Sequence, residues 1–249
     1  MPEWNARTAL LLGEQGVAAL AQKRVAVFGI GGVGGHACEA LARAGVGALD
    51  LFDDDIVSES NLNRQLAALH STLGQPKAEV MRRRIADINP VCRVTAHRVF
   101  YLPQNAGDYP LDIYDYVVDA VDTVSAKIAL VENAYAAGVP VICSMGAGNK
   151  LHPELFTVAD IEKTSVCPLA RVMRTELRKR GIRGVKVVYS TELPRAPETA
   201  ALPEAGQAEA VPGRPGTPKQ NPPGSISFVP AAAGLVLAGA VVRDLLGLP

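Results

Sequence analysis

The chain has 249 residues, 48% of them hydrophobic and 20% charged, which is enough apolar material for one α/β domain of ordinary size. Its 25 basic residues balance 25 acidic ones, so no global field draws it toward nucleic acid or a membrane, and any polyanion site must be local. Cys38, Cys92, Cys143 and Cys167 lie far apart without paired C-x-x-C spacing, which argues against a zinc site or a disulfide framework. No basic segment followed by an apolar run and a cleavage site opens the chain, so the cytoplasm is the expected compartment.

Past residues 1–23, apolar runs alternate with amphipathic segments. Strands are expected near 24–30, 47–53, 92–98, 115–121 and 139–144, with helices near 35–44, 76–88 and 124–137. Pro76 suits a first helical turn, and Gly45 and Gly138 suit C-terminal stops. This pattern predicts an α/β fold, a Rossmann-like, mostly parallel sheet with helices on both faces, whose ligands bind beyond the carboxyl ends of the strands. Residues 24–150 form the expected nucleotide-binding core.

After Met145 the alternation loosens into a strand near 155–159, a helix near 167–180 and a strand near 184–191. Residues 151–193 and 225–249 are expected to build a C-terminal, acceptor-side extension within one domain. Residues 194–224, rich in Pro, Gly, Ala and Glu, have too few large apolar side chains to repay ordering and read as a flexible loop. The uncharged stretch from Ser225 to Val242 approaches the length of a membrane span, but Pro230 divides it. It reads as a strand over 225–229 and a buried helix over 231–246, with no span.

The chemistry begins at Val25-Ala-Val-Phe-Gly-Ile-Gly-Gly-Val-Gly34, where a buried strand runs into clustered glycines and a helix. Glycines permit a tight turn with close backbone approach, and the helix offers free N–H groups and a positive dipole end to a phosphate. A second apolar run ends at Asp53, placed to hold ribose hydroxyls. A dinucleotide and ATP fit these features equally, so an NAD-dependent oxidoreductase stays open at this point, as does a catalytically silent nucleotide-binding scaffold. Beyond Asp53-Asp-Asp55 lie Arg64 and Lys77, two cations suited to neutralising a triphosphate. Asp122 offers a hard oxygen to Mg²⁺. Asp119 and Asp122 also suit a helix N-cap.

Asn61-Leu-Asn-Arg-Gln65, Lys77-Ala-Glu-Val-Met81, Asp87-Ile-Asn-Pro90, Ser144-Met-Gly-Ala-Gly-Asn-Lys150 and Thr164-Ser-Val-Cys-Pro-Leu169 carry a resemblance through most of the chain. It resembles the adenylating superfamily related to ubiquitin-activating enzymes, and within it the branch that dehydrates threonylcarbamoyladenosine in tRNA. The resemblance implies that Gly29, Gly31, Gly32 and Gly34 line the phosphate turn and that Asp53, with Asp55 beside it, holds the ribose. It implies that Asn61, Asn63 and Arg64 approach the phosphates and the reacting carboxylate, that Lys77 neutralises charge and that Asp122 binds magnesium. Arg7 would reach the outer phosphates of the other subunit from the arm at 1–23, making a homodimer with composite sites. Trp4 stands where the family commonly has a further arginine, and Gly35 where many relatives carry Ser.

ATP and Mg²⁺ are the implied cofactors. Adenylation of a sulfur-carrier or ubiquitin-like protein is the rival reading, with Cys167 as the discriminating thiol and a sulfur-transfer protein as a further candidate partner. Cys167, at an expected helix start, reads either as an activated thiol or as a small packed residue. Arg171, Arg174, Arg178 and Arg183 read as a basic face for tRNA or as a solvated helix face.

Overall fold

The computed structural model describes residues 3–196 and 223–249. Seven strands form one sheet: β1 (Arg24–Phe28), β2 (Ala48–Phe52), β3 (Arg93–His97), β4 (Tyr116–Asp119), β5 (Val141–Ser144), β6 (Phe156–Asp160) and β7 (Lys186–Ser190). Their spatial order is β3-β2-β1-β4-β5-β7-β6. All neighbours run parallel except β6, which pairs antiparallel with β7 at the edge. Leaving β1, the chain builds outward through β2 and β3 before returning to place β4 on the opposite side. That reversal leaves a crevice between the carboxyl ends of β1 and β4, where doubly wound sheets bind ligands.

Alternation along β1 assigns the two faces. Val25 and Val27 pack under α2 (Gly34–Ala44), α3 (Lys77–Ile88) and α6 (Phe228–Leu246). Ala26 and Phe28 face the other layer, which includes α4 (Val124–Ala137). Farther along that layer, α5 (Pro168–Lys179) packs on Val187 and Cys143. The expected strands and helices are all present up to β7, trimmed by one to three residues at most ends. Gly45 and Gly138 end α2 and α4 in the left-handed conformation, as their positions suggested.

Two expectations are corrected. Residues 225–229 form no strand: the chain is irregular to Ile226, turns at Ser227 and enters α6 at Phe228. Pro230 sits inside the first turn of that helix, where its missing N–H has no carbonyl to meet. Strand β4 stops at Asp119, so Asp122 lies in the loop before α4, and Thr123 holds the N-cap position. The expected loop 194–224 falls mostly outside the described residues.

Helix α6 is long and apolar enough to cross a membrane by composition. Here Val229, Ala233, Leu237, Ala240 and Val241 pack against α2 and the sheet. Its carboxyl end is tied down by Asp244, which accepts the Tyr116 hydroxyl at 2.6 Å and pairs with Lys186 at 2.6 Å. Gly234 lets the two helices touch, since a Cβ there would lie 2.4 Å from the Val33 carbonyl oxygen. Gly234→Ala is expected to destabilise the protein by about 1–3 kcal/mol, read as a lower denaturant midpoint at unchanged slope.

Candidate active site

Close backbone approach builds the turn after β1. Gly29 has φ +87°, and a Cβ there would lie 2.7 Å from the Ala120 carbonyl oxygen, so the extension of β4 presses directly on the turn. A Cβ on Gly34 would lie 1.8 Å from the Gly29 carbonyl oxygen. Gly31 differs: around its would-be Cβ nothing is nearer than the Gln65 amide nitrogen, 3.9 Å away. Gly29 and Gly34 are therefore demanded by packing, whereas Gly31 borders open space in the turn that precedes α2.

The end of β2 supports this turn. Asp53 Oδ2 accepts the Ile30 N–H at 2.6 Å and Oδ1 accepts the Asp55 N–H at 2.9 Å. Burial raises the Asp53 carboxyl above its usual range, with Lys77 and the Ile30 N–H pulling the other way. Lys77, only 4% exposed at the start of α3, sends Nζ to Asp55 Oδ2 at 2.9 Å. The carboxylates of Asp53, Asp54 and Asp55 gather within 4.8 Å. The first is engaged with backbone and the third with Lys77, so this cluster braces the glycine turn.

Residues 58–65 close the opposite wall. Asn61 is buried, and its Oδ1 accepts the Ser58 N–H at 3.2 Å, which fixes the tight turns that follow. Arg64 donates to the Ser60 carbonyl at 2.8 Å and to Asn63 Oδ1 at 2.7 Å. Both acceptors are neutral, and among the described residues Arg64 meets no carboxylate, so its positive charge is positioned but uncompensated. Desolvation draws its pKa below the ordinary guanidinium value. The Arg64 carbonyl lies 3.4 Å from a would-be Cβ on Gly32, which places this segment against the turn. Asn63 Nδ2 donates to the Ser225 carbonyl at 3.0 Å, linking the wall to the approach of α6.

Asp122 is exposed in the loop that extends β4, two residues beyond the Ala120 carbonyl that touches Gly29. The Thr123 hydroxyl lies 3.4 Å from its Oδ1. Asp119, which the sequence left as a possible cap, is wholly buried against Lys127 of α4, with 2.9 Å between Oδ2 and Nζ. Lys127 went unnoticed in the sequence, although a charge within Ser125-Ala-Lys-Ile-Ala-Leu-Val131 is itself a signal. Gln65 was likewise quoted without a role. Its Oε1 is buried with no hydrogen-bond partner among the described residues, next to the Gly31 opening.

The remaining candidates lie elsewhere. Cys167 holds the N-cap position of α5, 5% exposed, its Sγ 3.9 Å from a would-be Cβ on Gly146. Arg7 is exposed on α1 (Ala6–Leu20), a helix broken at Gly13. Arg174 is not on a free basic face: it donates to the Thr164 hydroxyl at 2.6 Å and to the Thr164 carbonyl at 2.9 Å. Arg183 meets Glu162 at 3.3 Å. Arg171 and Arg178 stay exposed without an ion pair among the described residues.

Residues 5–249 match the ThiF family. The chain belongs to the ThiF family. A curated relative from Bacillus subtilis, a tRNA threonylcarbamoyladenosine dehydratase, is 47% identical over 244 residues, covering 96% of this chain and 93% of the relative. Its Escherichia coli counterpart is 42% identical over 200 residues, 76% of this chain and 75% of the relative. The solved structure of an E. coli tRNA N6-threonylcarbamoyladenosine dehydratase in complex with ATP superposes with TM-score 0.84 at 35% identity, covering 99% of this chain and 96% of that one. The similarity to these ThiF-family dehydratases extends past the glycine turn into α5, β7 and α6.

Gly31 and Gly34 separate a ligand cradle from a mere tight junction. Gly31→Ala is expected to leave the melting temperature nearly unchanged and to weaken ATP binding by about tenfold or more, ~1.4 kcal/mol. Gly34→Ala is expected to lower stability itself. Thermal melts and ATP titrations of the two variants read these outcomes.

Proposed function

We propose that this chain is an ATP-dependent dehydratase of threonylcarbamoyladenosine in tRNA, a homodimer that works with Mg²⁺ in the cytoplasm. The observation that carries the reading is the meeting, at one glycine turn, of the segments bearing Arg64, Lys77 and Asp122. Such an arrangement answers the needs of a triphosphate attacked at phosphorus and has no counterpart in the needs of hydride transfer. The full-length similarity to ThiF-family dehydratases supports the substrate.

In this reading a carboxylate oxygen of the threonylcarbamoyl group attacks the α-phosphorus of ATP, and pyrophosphate leaves. A nitrogen of the same substituent then attacks the acyl carbon and loses its proton. AMP departs carrying the former carboxylate oxygen, so the net change in the nucleoside is loss of water. Arg64, held by neutral acceptors, contributes a full positive charge against the phosphates. Gln65, with its idle carbonyl oxygen, offers a polar contact beside the turn. Lys77 braces the acidic end of β2 through Asp55 and offsets its charge. These are placement and electrostatic effects that need no covalent enzyme intermediate. Asp122 fits Mg²⁺ as an exposed hard-oxygen donor at the mouth of the crevice, and the bound ion would neutralise charge on the phosphates.

Arg171 and Arg178, exposed and without an ion pair among the described residues, are the candidates for tRNA phosphate contact, with Arg174 and Arg183 committed to contacts within the chain. The buried, packed setting of Cys167 favours a structural role over a thioester or sulfur-transfer step. Leu10 and Leu11 are 90% and 84% exposed on α1, and Trp4, just before that helix, is 41% exposed. An apolar ridge of that kind needs a partner surface, and a second copy would carry Arg7 toward the neighbouring site.

Mass spectrometry of tRNA nucleosides after incubation with protein and ATP is expected to show loss of one water from threonylcarbamoyladenosine, with AMP and pyrophosphate released. Arg64→Ala and Asp122→Asn are expected to slow turnover by about 10²-fold or more, while Cys167→Ala keeps the activity. Undiminished product from Asp122→Asn would remove the reading's metal step, and abolition by Cys167→Ala would favour the sulfur-carrier alternative. Leu10→Lys with Leu11→Lys is expected to shift the protein toward monomer in sedimentation and to lower turnover with it.

A further inference from the structure

The loop that bears Asp122 is anchored by a buried ion pair. Asp119 and Lys127 are both fully buried, and Lys127 Nζ lies 2.9 Å from Asp119 Oδ2. Each partner also holds the main chain of Val121. Asp119 Oδ1 accepts the Val121 N–H at 3.2 Å, and Lys127 Nζ donates to the Val121 carbonyl at 3.0 Å. Both backbone groups of the residue immediately before Asp122 are thus fixed from beneath by one pair of charges. On the preceding side, the Ala120 N–H donates to the Phe28 carbonyl at 2.8 Å, so the loop is also tied to the end of β1.

A buried ion pair is a poor device for stability alone, because desolvating two charges cancels most of their attraction and a well-packed apolar pair serves as well. Its distinctive contribution here is directional: hydrogen bonds to a backbone fix a loop where methyl groups only fill space. The Cys143 thiol on the neighbouring strand also meets Asp119. Cys143, opposite Asp119 on β5, is a buried thiol held well above its usual pKa by desolvation first and by Asp119 second, and so stays neutral.

We propose that Lys127 and Asp119 are positioning residues that set the Asp122 carboxylate for the metal on the nucleotide. This rests on the reading of Asp122 as the magnesium ligand. Support of this outer kind changes metal affinity without touching the metal, typically by about 10–100-fold.

The test replaces both charges at once, Asp119→Leu with Lys127→Met, which avoids leaving one charge buried alone. Mn²⁺ serves as the paramagnetic probe, titrated by EPR into the full-length protein saturated with α,β-methylene-ATP. The expected result is about tenfold weaker Mn²⁺ binding, with metal-free binding of the nucleotide analogue and the thermal midpoint close to those of the unaltered protein. A second variant, Asp119→Asn with Lys127→Met, keeps the acceptor for the Val121 N–H and guards against misfolding of the first. It is expected to fall between the two.

A folded variant lacking Lys127 that binds Mn²⁺ as tightly as the unaltered protein overturns the inference while leaving Asp122 in place. Asp122→Asn, measured in parallel, isolates the underlying reading. If Asp122→Asn leaves Mn²⁺ affinity unchanged, the ligand assignment fails and the positioning role falls with it. Weakened Mn²⁺ binding together with equally weakened metal-free nucleotide binding also overturns the inference, since general disorder of the crevice would then explain it.

Discussion

The ends of β1 and β4 meet without side chains between them, and the rest of the site depends on that contact. Gly29 lies against the Ala120 carbonyl in a backbone conformation that side chains resist, and Gly34 lies against the Gly29 carbonyl. Any Cβ at these positions would push β4 away from the turn and move the segment carrying Asp122. The same compaction lets α2 begin directly at the turn. Close packing continues behind the turn, where Gly234 admits α6 against the Val33 carbonyl. The glycines thus transmit position from the hydrophobic layer to the crevice.

Charge around this contact is distributed unevenly. Lys77 and Lys127 are buried and paired with Asp55 and Asp119 respectively. Among the described residues Arg64 is held by neutral oxygens. Paired cations hold loops and strand ends in place, and Arg64, which meets no carboxylate among the described residues, keeps its attraction for an incoming phosphate. Asp53 shows the same division among acids, since its oxygens secure the glycine turn before any nucleotide arrives. The sequence assigned Asp53 and Lys77 directly to ligand contact, and the structure adds a bracing role to each.

Local physics made most of the fold legible. The β-branched runs, the 3.6-residue apolar periods and the glycine stops placed β1 through β7 and α2 through α5 within a few residues, because these signals are short-range. The error at 225–229 has the same origin. Ser-Ile-Ser-Phe-Val alternates like a strand, but Ser225 is held by Asn63 and the helix begins at Phe228, extending back through Pro230. The basic face was overcounted for a related reason. Helical spacing put Arg174 in line with Arg171 and Arg178, but only the packing of the Ile161–Lys163 turn against α5 could draw its guanidinium onto Thr164.

The sequence by itself determined that a strand runs into a glycine turn and a helix at β1, and that the sheet is mostly parallel with helices on both faces. Those properties follow from residue type and spacing along a few turns of chain. Tertiary structure decided which charges are available and which are already engaged, because availability depends on partners that folding brings together, as with Lys77 and Asp55, 22 residues apart. It also decided the support beneath Asp122. An aspartate at a strand end and a lysine in the next helix become one buried pair only when α4 folds back over the sheet and water is excluded from both.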